Sequence, residues 1–428
     1  MFESMFEIDA AASQADLRAM VERCERLKAR AAAAQARATA LWAARRTAAE
    51  RAAGIRADKR GRGLGAEVAL ARGQAPQTGG QHLGFAKALV HEMPCTLAAL
   101  ECGALTEWRA TLIVRESSCL SVAHRRQLDS ELCADVAALK GWGNRRVEAE
   151  AKRIAARLDA AAVVERIDKA AAAPRVSCRP APNGMVYFTA LLPLAKGVAL
   201  YAACTRAADT TFDERSRGQI MTDTLYERVT GRPAGQPVPV ELNLVMADTT
   251  LSGDDEERGW LDGYGPVPAG FCRTLIGEAA ADAETRATLR RLYRHPRSGQ
   301  LVAMESRARI FPKGLARLLE RRDQTCRTPY CDAPIRHHDH ATPHREGGKT
   351  NGRNGLGLCE ACNYAKEAPG WAVDTYCEDG AHTAAYTTPT GATYYSVAPA
   401  LPGPPVRRQV SLMEGRLSVD LVTFDAAA

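Results

Sequence analysis

Two close pairs of cysteines constrain this chain of 428 residues more than any other feature of its sequence. Cys326 and Cys331 are separated by four residues, and Cys359 and Cys362 form a C-x-x-C pair after a longer loop. Each pair forms a turn that presents two sulfurs to one ion, so the spacing is typical of a tetrahedral zinc site. Because four thiolates leave no coordination position for a substrate, the sequence predicts structural zinc. Four free thiols, or a disulfide within the C-x-x-C pair, are the alternatives.

The composition is that of a globular protein, with 46% hydrophobic and 25% charged residues. The length predicts two or three folding units. The 13 cysteines are an odd number, which favours a reducing compartment over a framework of secreted disulfides. The first residues, MFESMFEIDA, are acidic where a signal peptide is basic. The most apolar stretch, residues 189–204, is interrupted by Pro193, Lys196 and Gly197. We therefore expect a cytoplasmic protein without a membrane span.

The net charge of +7 is concentrated near the start of the sequence. Between Asp16 and Arg62, 13 Lys and Arg residues stand against 5 Asp and Glu residues, an excess of 8. The rest of the chain is therefore close to neutral. Such a segment can lie along a nucleic-acid backbone. A solvated helix face is the alternative interpretation.

The sequence pattern predicts an α+β protein with a mostly helical N-terminal region and a small β-sheet. Residues 11–54 are rich in Ala, Arg, Glu and Leu and contain no proline, which favours one long helix or a helical hairpin. Glycine-containing breaks follow at residues 61–65 and 74–80. Helical periodicity returns over residues 85–173.

The pattern changes after residue 173. An Asn183-Gly184 step between two apolar runs predicts a tight β-hairpin. Residues 238–248 alternate as a strand does, and helices are predicted over residues 196–208, 216–229 and 278–293. We divide the chain into a basic helical segment (1–82), a helical domain with a small sheet (83–304), a C-terminal module (305–398) and a proline-rich tail (399–428).

An adjacent aspartate and histidine, Asp339 and His340, lie between the two cysteine pairs. A carboxylate can hold a hard divalent cation such as Mg²⁺, while a neutral imidazole can take a proton from water. An unperturbed histidine has a pKa of about 6.5, which suits a base at neutral pH. The cation would neutralise the charge that builds on a phosphodiester during its hydrolysis. The pair therefore predicts metal-dependent phosphodiester chemistry.

The order C-x4-C, Asp-His, Asn-x4-C-x-x-C-Asn resembles that of the HNH nucleases, whose ββα-metal fold also occurs in colicin DNases and homing endonucleases. The resemblance implies that His340 is the general base and that Asp339 is a metal ligand. It implies that Asn354 is the middle asparagine, which steadies the loop of the base histidine or joins the metal site. Residues 305–398 would then form a zinc-stapled ββα-metal (HNH) module with a trailing β-hairpin.

The third position of the motif departs from the commonest pattern. Many HNH proteins have histidine directly after the second C-x-x-C, whereas this chain has Asn363. Asn363 with Lys366 matches the variant C-x-x-C-N-x-x-K. Because an amide oxygen suits a hard metal better than a transition metal, we expect Mg²⁺ or Mn²⁺ on Asp339 and Asn363, besides Zn²⁺ on the cysteines. A zinc knuckle that binds nucleic acid without cutting it would explain the cysteines but not the Asp-His pair.

Basic residues of the same module are predicted to contact DNA: His344, Arg345, Lys349 and Lys366. His337 and His338 have two interpretations, either contact with phosphate or metal or simple exposure. Between residues 311 and 371, 10 Lys and Arg residues stand against 7 Asp and Glu residues. Four thiolates with one Zn²⁺ add −2, which leaves roughly +1 and a weak attraction for a polyanion. DNA affinity is therefore expected to come partly from the basic N-terminal segment.

The resemblance extends beyond the nuclease motif. Residues 264–269 (YGPVPA), 291–299 (RLYRHPRSG) and 318–326 (LLERRDQTC) look like actinobacterial proteins of the 13E12 repeat family. In those proteins a long N-terminal domain of unknown function precedes an HNH module. Trp371, the Asp379-Gly380 turn and residues 388–391 (TPTG) match the usual ending of the module. For the larger domain the resemblance implies no activity, only a possible tie to mobile elements or phage defence.

Two functions follow from these patterns. The preferred one is a metal-dependent DNA endonuclease in which His340 activates water and Asp339 with Asn363 holds a divalent cation. The alternative is a non-catalytic, zinc-stapled DNA-binding or regulatory protein. The preferred function requires the Asp339 carboxylate, the Asn363 amide and the His340 ring to converge beside an open surface.

Overall fold

The structure, a computed structural model, is α+β and mostly helical, with small antiparallel sheets. It describes residues 8–235, 244–247, 250–251, 253, 255–281, 305–306, 310–378 and 380–402. The predicted α+β class is confirmed. Two compact units are present. The first comprises residues 1–169, 329–331 and 364–371, and the second comprises residues 170–328, 332–363 and 372–428.

Helices make up most of the described chain before residue 172. They are α1 (Gln14–Ala52), α2 (Leu64–Ala71), α3 (Gly79–His91), α4 (Pro94–Glu101), α5 (Glu107–Ser117), α6 (Val122–Cys133), α7 (Asn144–Leu158) and α8 (Ala160–Ala171). The prediction for residues 11–54 is confirmed as one long helix, α1. A capping box between Ser13 and Asp16 begins it. Alanines at spacings of three and four residues, from Ala29 to Ala43, form its buried stripe.

Helices α1 and α3 to α7 share one apolar core. Ala29 and Ala33 of α1 belong to the same buried cluster as Phe85 and Leu89 of α3 and Ile154 of α7. This core runs across the domain boundary that we predicted at residue 82. The prediction followed the glycine-containing break at residues 74–80, where the structure has only a short 3-10 turn before α3.

The second unit begins with a β-hairpin. Strands β1 (Arg175–Pro180) and β2 (Val186–Leu191) are antiparallel. Asn183 and Gly184 turn between them with φ angles of 62° and 74°. Asparagine and glycine are the residues that tolerate this left-handed conformation, so the predicted hairpin is confirmed together with its cause. The predicted helices over 196–208 and 216–229 are confirmed as α9 (Leu194–Thr210) and α10 (Arg217–Thr230).

A small antiparallel sheet follows, with β4 (Gly259–Leu261) between β3 (Leu244–Val245) and β5 (Gly265–Val267). Helix α11 (Ala269–Ala281) comes next. The predicted strand over 238–248 is confirmed for β3, and the predicted helix over 278–293 overlaps the end of α11. Residues 246 and 247 are described but do not belong to β3. The rest of the predicted strand and helix lies outside the described residues, as do residues 291–299, Asp379 and most of the tail.

The C-terminal part of the second unit carries the cysteine motif. Its elements are β6 (Glu305–Ser306), α12 (Lys313–Asp323), β7 (His337–His340), β8 (Thr350–Asn351), β9 (Gly355–Leu358), α13 (Glu360–Lys366), β10 (Ala372–Glu378), β11 (Ala381–Thr387) and β12 (Thr393–Val397). Strand β7 pairs with β9, β8 pairs with β6, and β10 to β12 form an antiparallel sheet in chain order. The predicted trailing hairpin thus contains a third strand. Among the helices that the structure describes, none has the length and apolarity to cross a membrane.

Candidate metal centre and active site

The four cysteines of the sequence motif come together. The sulfurs of Cys326, Cys331, Cys359 and Cys362 all lie within 4.8 Å of one another. All four residues are buried and none of them forms a disulfide, so the disulfide alternative is not what the structure contains. Zn–S bonds of about 2.3 Å place tetrahedral sulfurs roughly 3.8 Å apart, which fits this cluster. The four cysteines could therefore hold a metal ion such as zinc.

Short turns place the sulfurs. The Cys326 amide donates to the Ala333 carbonyl at 2.9 Å and so closes the loop that carries the first pair. In the second pair, the Cys362 amide lies 3.5 Å from the Cys359 sulfur. An N–H group directed at a sulfur stabilises the thiolate, because it offsets part of its negative charge. The second pair is thus prepared for the thiolate form that metal binding requires.

A buried ion cluster at the end of α12 supports the strand that leads into the C-x-x-C pair. Asp323 contacts Arg322 at 2.7 Å and Arg327 at 3.1 Å, and it accepts from the Gly357 amide at 2.7 Å. Burial alone would raise the pKa of Asp323. The two guanidinium groups and the amide outweigh burial and hold the pKa below its ordinary value. Because each charge is paired, the cluster can remain ionised inside the fold.

Glycines in β9 allow α12 and the loop before β7 to pack closely against this strand. A Cβ on Gly355 would lie 2.7 Å from the Phe311 side chain and 2.8 Å from that of Leu319. A Cβ on Gly357 would lie 2.5 Å from the Ile335 side chain. All three distances are too short for real atoms. The N-G-L-G-L sequence therefore reflects close packing as well as the motif that it resembles.

The side chains of alternate residues in β7 lie on opposite faces of the strand. His338 Nε2 lies 3.1 Å from Glu320 Oε1 of α12. The His340 ring centroid lies 4.6 Å from that of Phe311, just before α12. His337 and Asp339 occupy the other face of the strand. This alternation agrees with the face assignment that strand geometry predicts for the four residues.

His340 is buried, with 6% of its surface exposed. Its Nε2 atom lies 2.8 Å from the Thr350 hydroxyl, and its Nδ1 atom lies 4.0 Å from Asp339 Oδ1. The Asp339 side chain is 30% exposed. The His344 ring approaches His340 edge-on, with ring centroids 5.7 Å apart. The Asp-His pair thus combines an accessible carboxylate with an enclosed imidazole.

Asn354 holds the loop between β7 and β9 closed. Its side-chain oxygen accepts from the Thr342 amide at 2.9 Å. Its side-chain nitrogen donates to the carbonyls of Thr342, at 3.0 Å, and Lys349, at 2.9 Å. The loop that directly follows His340 is therefore fixed by one asparagine. Of the two roles that the resemblance implies for Asn354, this geometry agrees with steadying the loop of the histidine.

Asn363 lies in α13, directly after the last cysteine. Its amide oxygen is buried and has no hydrogen-bond partner among the residues that the structure describes. A buried carbonyl oxygen without a partner is costly, so it suits a ligand such as a hard metal ion. The required convergence of Asn363 with Asp339 remains a prediction.

The predicted DNA contacts differ in accessibility. His344, Arg345 and Lys349 are exposed on the loop after β7. Lys366 is buried, and its ammonium group lies 2.8 Å from Glu367 Oε1. Burial of the charged group argues against Lys366 as a phosphate contact, because its ammonium is already paired inside the fold.

Sequence reasoning missed Thr350, the Asp323 ion cluster and His382. The His382 Nε2 atom lies 2.7 Å from the Arg353 carbonyl, which precedes Asn354. Burial, with nearby Arg322, lowers the pKa of His382 to about 4. Nothing local marks these contacts, because Thr350 and His340 are 10 positions apart, His382 and Arg353 are 29 apart, and Asp323 and Gly357 are 34 apart.

Comparisons with protein families, with characterised proteins and with solved structures find no match to this chain. The resemblance to HNH proteins therefore depends on the motif residues themselves and on their arrangement.

Proposed function

We propose that this protein is a metal-dependent DNA endonuclease of the HNH type. The observation that carries the proposal is the order of elements around the motif. Asp339 and His340 end a strand that pairs with β9, and β9 leads directly into the C-x-x-C pair and α13. Asn354 closes the loop between the strands. Two antiparallel strands followed by a helix, with Asp-His, Asn and Asn in this order, support a ββα-metal module.

The cysteine cluster would hold structural Zn²⁺. Four buried sulfurs match the donor set and leave no open position for a substrate. The ion would hold the loop of the first pair against the start of α13. Because the region has few large apolar residues, zinc would supply much of its stability.

Asp339 and Asn363 are the residues that would hold Mg²⁺ or Mn²⁺. Both offer oxygen, which is the donor that these ions prefer. When bound, the cation supplies positive charge to the phosphodiester and to its leaving oxygen. Asp339 is partly exposed, and the Asn363 oxygen has no partner among the described residues.

His340 would accept the proton of the attacking water. Its Nε2 atom is engaged by Thr350, so an Nε2–H tautomer that donates to the hydroxyl leaves the Nδ1 lone pair to act as base. Nδ1 is also the nitrogen nearer to Asp339. Asn354 and Thr350 would keep the ring in place, and exposed Arg345 and Lys349 would contact phosphate.

The test is cleavage of supercoiled plasmid by the purified full chain with Mg²⁺ or Mn²⁺. His340→Ala and Asp339→Ala should each abolish nicking, while zinc content stays near one ion per chain. His124→Ala, which changes a histidine of the helical unit, is the matched control and should nick normally. Full nicking by His340→Ala, purified free of other nucleases, would contradict the assignment of His340 as the general base.

The enclosure of His340 favours a second candidate, a non-catalytic zinc-stapled DNA-binding or regulatory protein. A base that is 6% exposed and hydrogen-bonded to Thr350 is not open to water in this conformation. This candidate expects salt-sensitive DNA binding. It also expects no cleavage with Mg²⁺, Mn²⁺, Ni²⁺ or Co²⁺, whereas the endonuclease must cut with at least one of them.

The proposal also includes the cellular compartment and the biological role of the protein. None of the 13 cysteines forms a disulfide, which fits a reducing compartment, and we propose that the protein lies in the cytoplasm. The resemblance to 13E12 proteins suggests a connection with mobile elements or phage defence. Cleavage assays with and without added reductant would test whether activity requires reduced cysteines, because an oxidised cysteine cluster cannot retain zinc.

A further inference from the structure

Two buried hydroxyl groups lie next to the cysteine cluster. Thr328 is 5% exposed, and its Oγ1 atom lies 3.7 Å from the Cys326 sulfur. Tyr386 of β11 is 1% exposed. Its hydroxyl oxygen has no hydrogen-bond partner among the residues that the structure describes. Thr328, Cys326 and Cys362 are among the groups that act on it electrostatically. A buried phenol oxygen of this kind needs a partner.

The charge of a zinc-loaded cluster would supply that partner. Four cysteines lose four protons to solvent as they bind Zn²⁺, so the buried centre carries a net charge of about −2. A buried negative charge is costly unless donors surround it. One donor is already in place, the Cys362 amide at 3.5 Å from the Cys359 sulfur. The Thr328 hydroxyl, 3.7 Å from the Cys326 sulfur, could supply another.

We propose that Thr328 and Tyr386 are the hydrogen-bond donors to the zinc-bound thiolates, Thr328 to Cys326 and Tyr386 to Cys326 or Cys362. The inference rests on the proposed zinc site but not on DNA cleavage. In the free thiol the sulfur donates to Thr328, and in the thiolate the direction reverses, so the hydroxyl donates.

The electrostatic surroundings keep Tyr386 in the form that donates. Burial raises the pKa of Tyr386 well above its ordinary value. The Thr328 hydroxyl lowers this pKa, and negative charge on Cys326 and Cys362 raises it again. The phenol therefore keeps its proton beside the thiolates. A phenylalanine would occupy nearly the same volume without offering that proton, which makes it the cleanest substitution.

The experiment measures zinc binding by the full chain through competition with a chromophoric chelator. Removing a hydrogen-bond donor to a metal ligand typically weakens metal affinity about 10- to 100-fold. Tyr386→Phe and Thr328→Val should each weaken zinc binding by about tenfold. Thr328→Ser retains a hydroxyl and should bind as the wild type does. Tyr395→Phe removes the same oxygen from β12, where the tyrosine is 62% exposed, and should have no effect.

Cobalt supplies a readout that a purely structural role would not change. Co²⁺ bound by thiolates has a sulfur-to-metal charge-transfer band. Hydrogen bonds to sulfur lower the energy of the sulfur electrons, so their loss in Tyr386→Phe should shift the band to longer wavelength. The band of Tyr395→Phe should not move.

The outcomes separate the two proposals. If the wild-type chain binds no zinc, the proposed zinc site fails. If the wild type binds zinc and both Tyr386→Phe and Thr328→Val bind it equally well, with an unchanged cobalt band, the hydroxyl donors are overturned. Should Tyr386→Phe fail to fold, the Thr328→Val and Thr328→Ser pair decides, because these variants differ in one hydroxyl and in little volume.

Discussion

The Nε2 atom of His340 lies 2.8 Å from the hydroxyl of Thr350, ten residues further along the chain. Thr350 is 2% exposed and lies in β8, which pairs with β6. The residue that holds the His340 imidazole thus lies directly after the loop of residues 341–349. This contact makes Thr350 a positioning residue in the proposed nuclease.

Replacing Thr350 by valine should disorient the imidazole of His340. The change leaves a buried ring N–H without a partner, which costs about 1–3 kcal/mol in the free energy of unfolding. Plasmid nicking should fall on the order of 10- to 100-fold, since a misplaced base loses much of its catalytic effect. Thr350→Ser is the control and should retain both the wild-type stability and the wild-type rate of plasmid nicking. Equal nicking by the valine and serine variants would contradict the role of the hydroxyl.

Asn354 should be needed for the order of the loop rather than for zinc binding. Asn354→Asp is nearly isosteric, but it replaces a donor that reaches the carbonyls of Thr342 and Lys349 with a carboxylate. We expect faster proteolysis within residues 341–349, a loss of roughly 1–3 kcal/mol in stability and little nicking. Zinc content should stay at the wild-type value. Loss of zinc together with the loop order would indicate a general failure to fold.

The cysteine cluster should be the feature on which folding of the C-terminal residues depends. Cys359→Ser removes one ligand of the buried cluster, whereas Cys377→Ser changes an exposed cysteine of β10. Structural zinc contributes about 10 kcal/mol or more of apparent binding free energy. The first variant should therefore lose zinc and cooperative unfolding, and the second should keep both. Metal analysis and thermal unfolding followed by circular dichroism measure these outcomes.

Stability should depend on His382 in weakly acidic solution. Its pKa falls from 6.5 to about 4 in the folded state, because burial disfavours the charged ring. Above pH 6.5 the ring is neutral in both states and contributes no pH dependence. As the pH falls from 6.5 to about 4, the unfolded state gains a proton that the folded state does not, so stability is lost. The loss attributable to this residue is about 3 kcal/mol.

His382→Gln isolates this effect, because glutamine can still donate to the Arg353 carbonyl but does not titrate. Urea unfolding of both proteins across this pH range gives the comparison. Zinc release at low pH affects both proteins equally, so the difference between them reports on the histidine. Identical pH profiles would show that the pKa of His382 is the same in the folded and unfolded states.

The features that could be predicted from the sequence are those encoded by neighbouring residues. The long helix α1 follows from composition, the hairpin from Asn183-Gly184, and the metal cluster from the spacing of its cysteines. The features that could not be predicted from the sequence depend on tertiary contacts. Thr350 lies in a strand of two residues, which is too short to show a periodicity, and Asp323 contacts Gly357 across 34 positions. A buried aspartate between two arginines looks like an ordinary charged helix end in the sequence.

Burial, which the sequence does not show, also changed which basic residues are candidates for DNA contact. Lys366 matches a motif that suggests a phosphate contact, but α13 turns its ammonium group into the fold. The three basic residues on the loop after β7 remain exposed. A motif specifies which residues are present, whereas the packing of α13 specifies which of them solvent can reach. The structural candidates for DNA contact are therefore those on the loop.

DNA affinity should also depend on the first unit. A groove between α1 and α3 is lined by Arg51, Lys87 and His91. Its other lining residues are small, and none is acidic: Ala40, Ala43, Ala44, Thr47 and Ala48. The nearby carboxylates are engaged elsewhere, Glu50 with the Gly61 amide and Glu92 with Arg125. A phosphate backbone could approach the small side chains while the cations neutralise it. Of the three cations, Arg51 belongs to the basic N-terminal segment, whereas Lys87 and His91 lie in α3.

The double variant Arg51→Glu, Lys87→Glu should bind a short DNA duplex more weakly than the wild type, as measured by fluorescence anisotropy without added divalent metal. Loss of two phosphate contacts should reduce the slope of log affinity against log salt by about two. The control is Arg30→Glu with Arg45→Glu, which changes the net charge of the first unit equally at exposed positions outside the groove. If the control loses as much affinity and slope, the attraction is a property of overall charge. If neither variant changes, DNA is held by the second unit alone, and the basic segment is a solvated helix face.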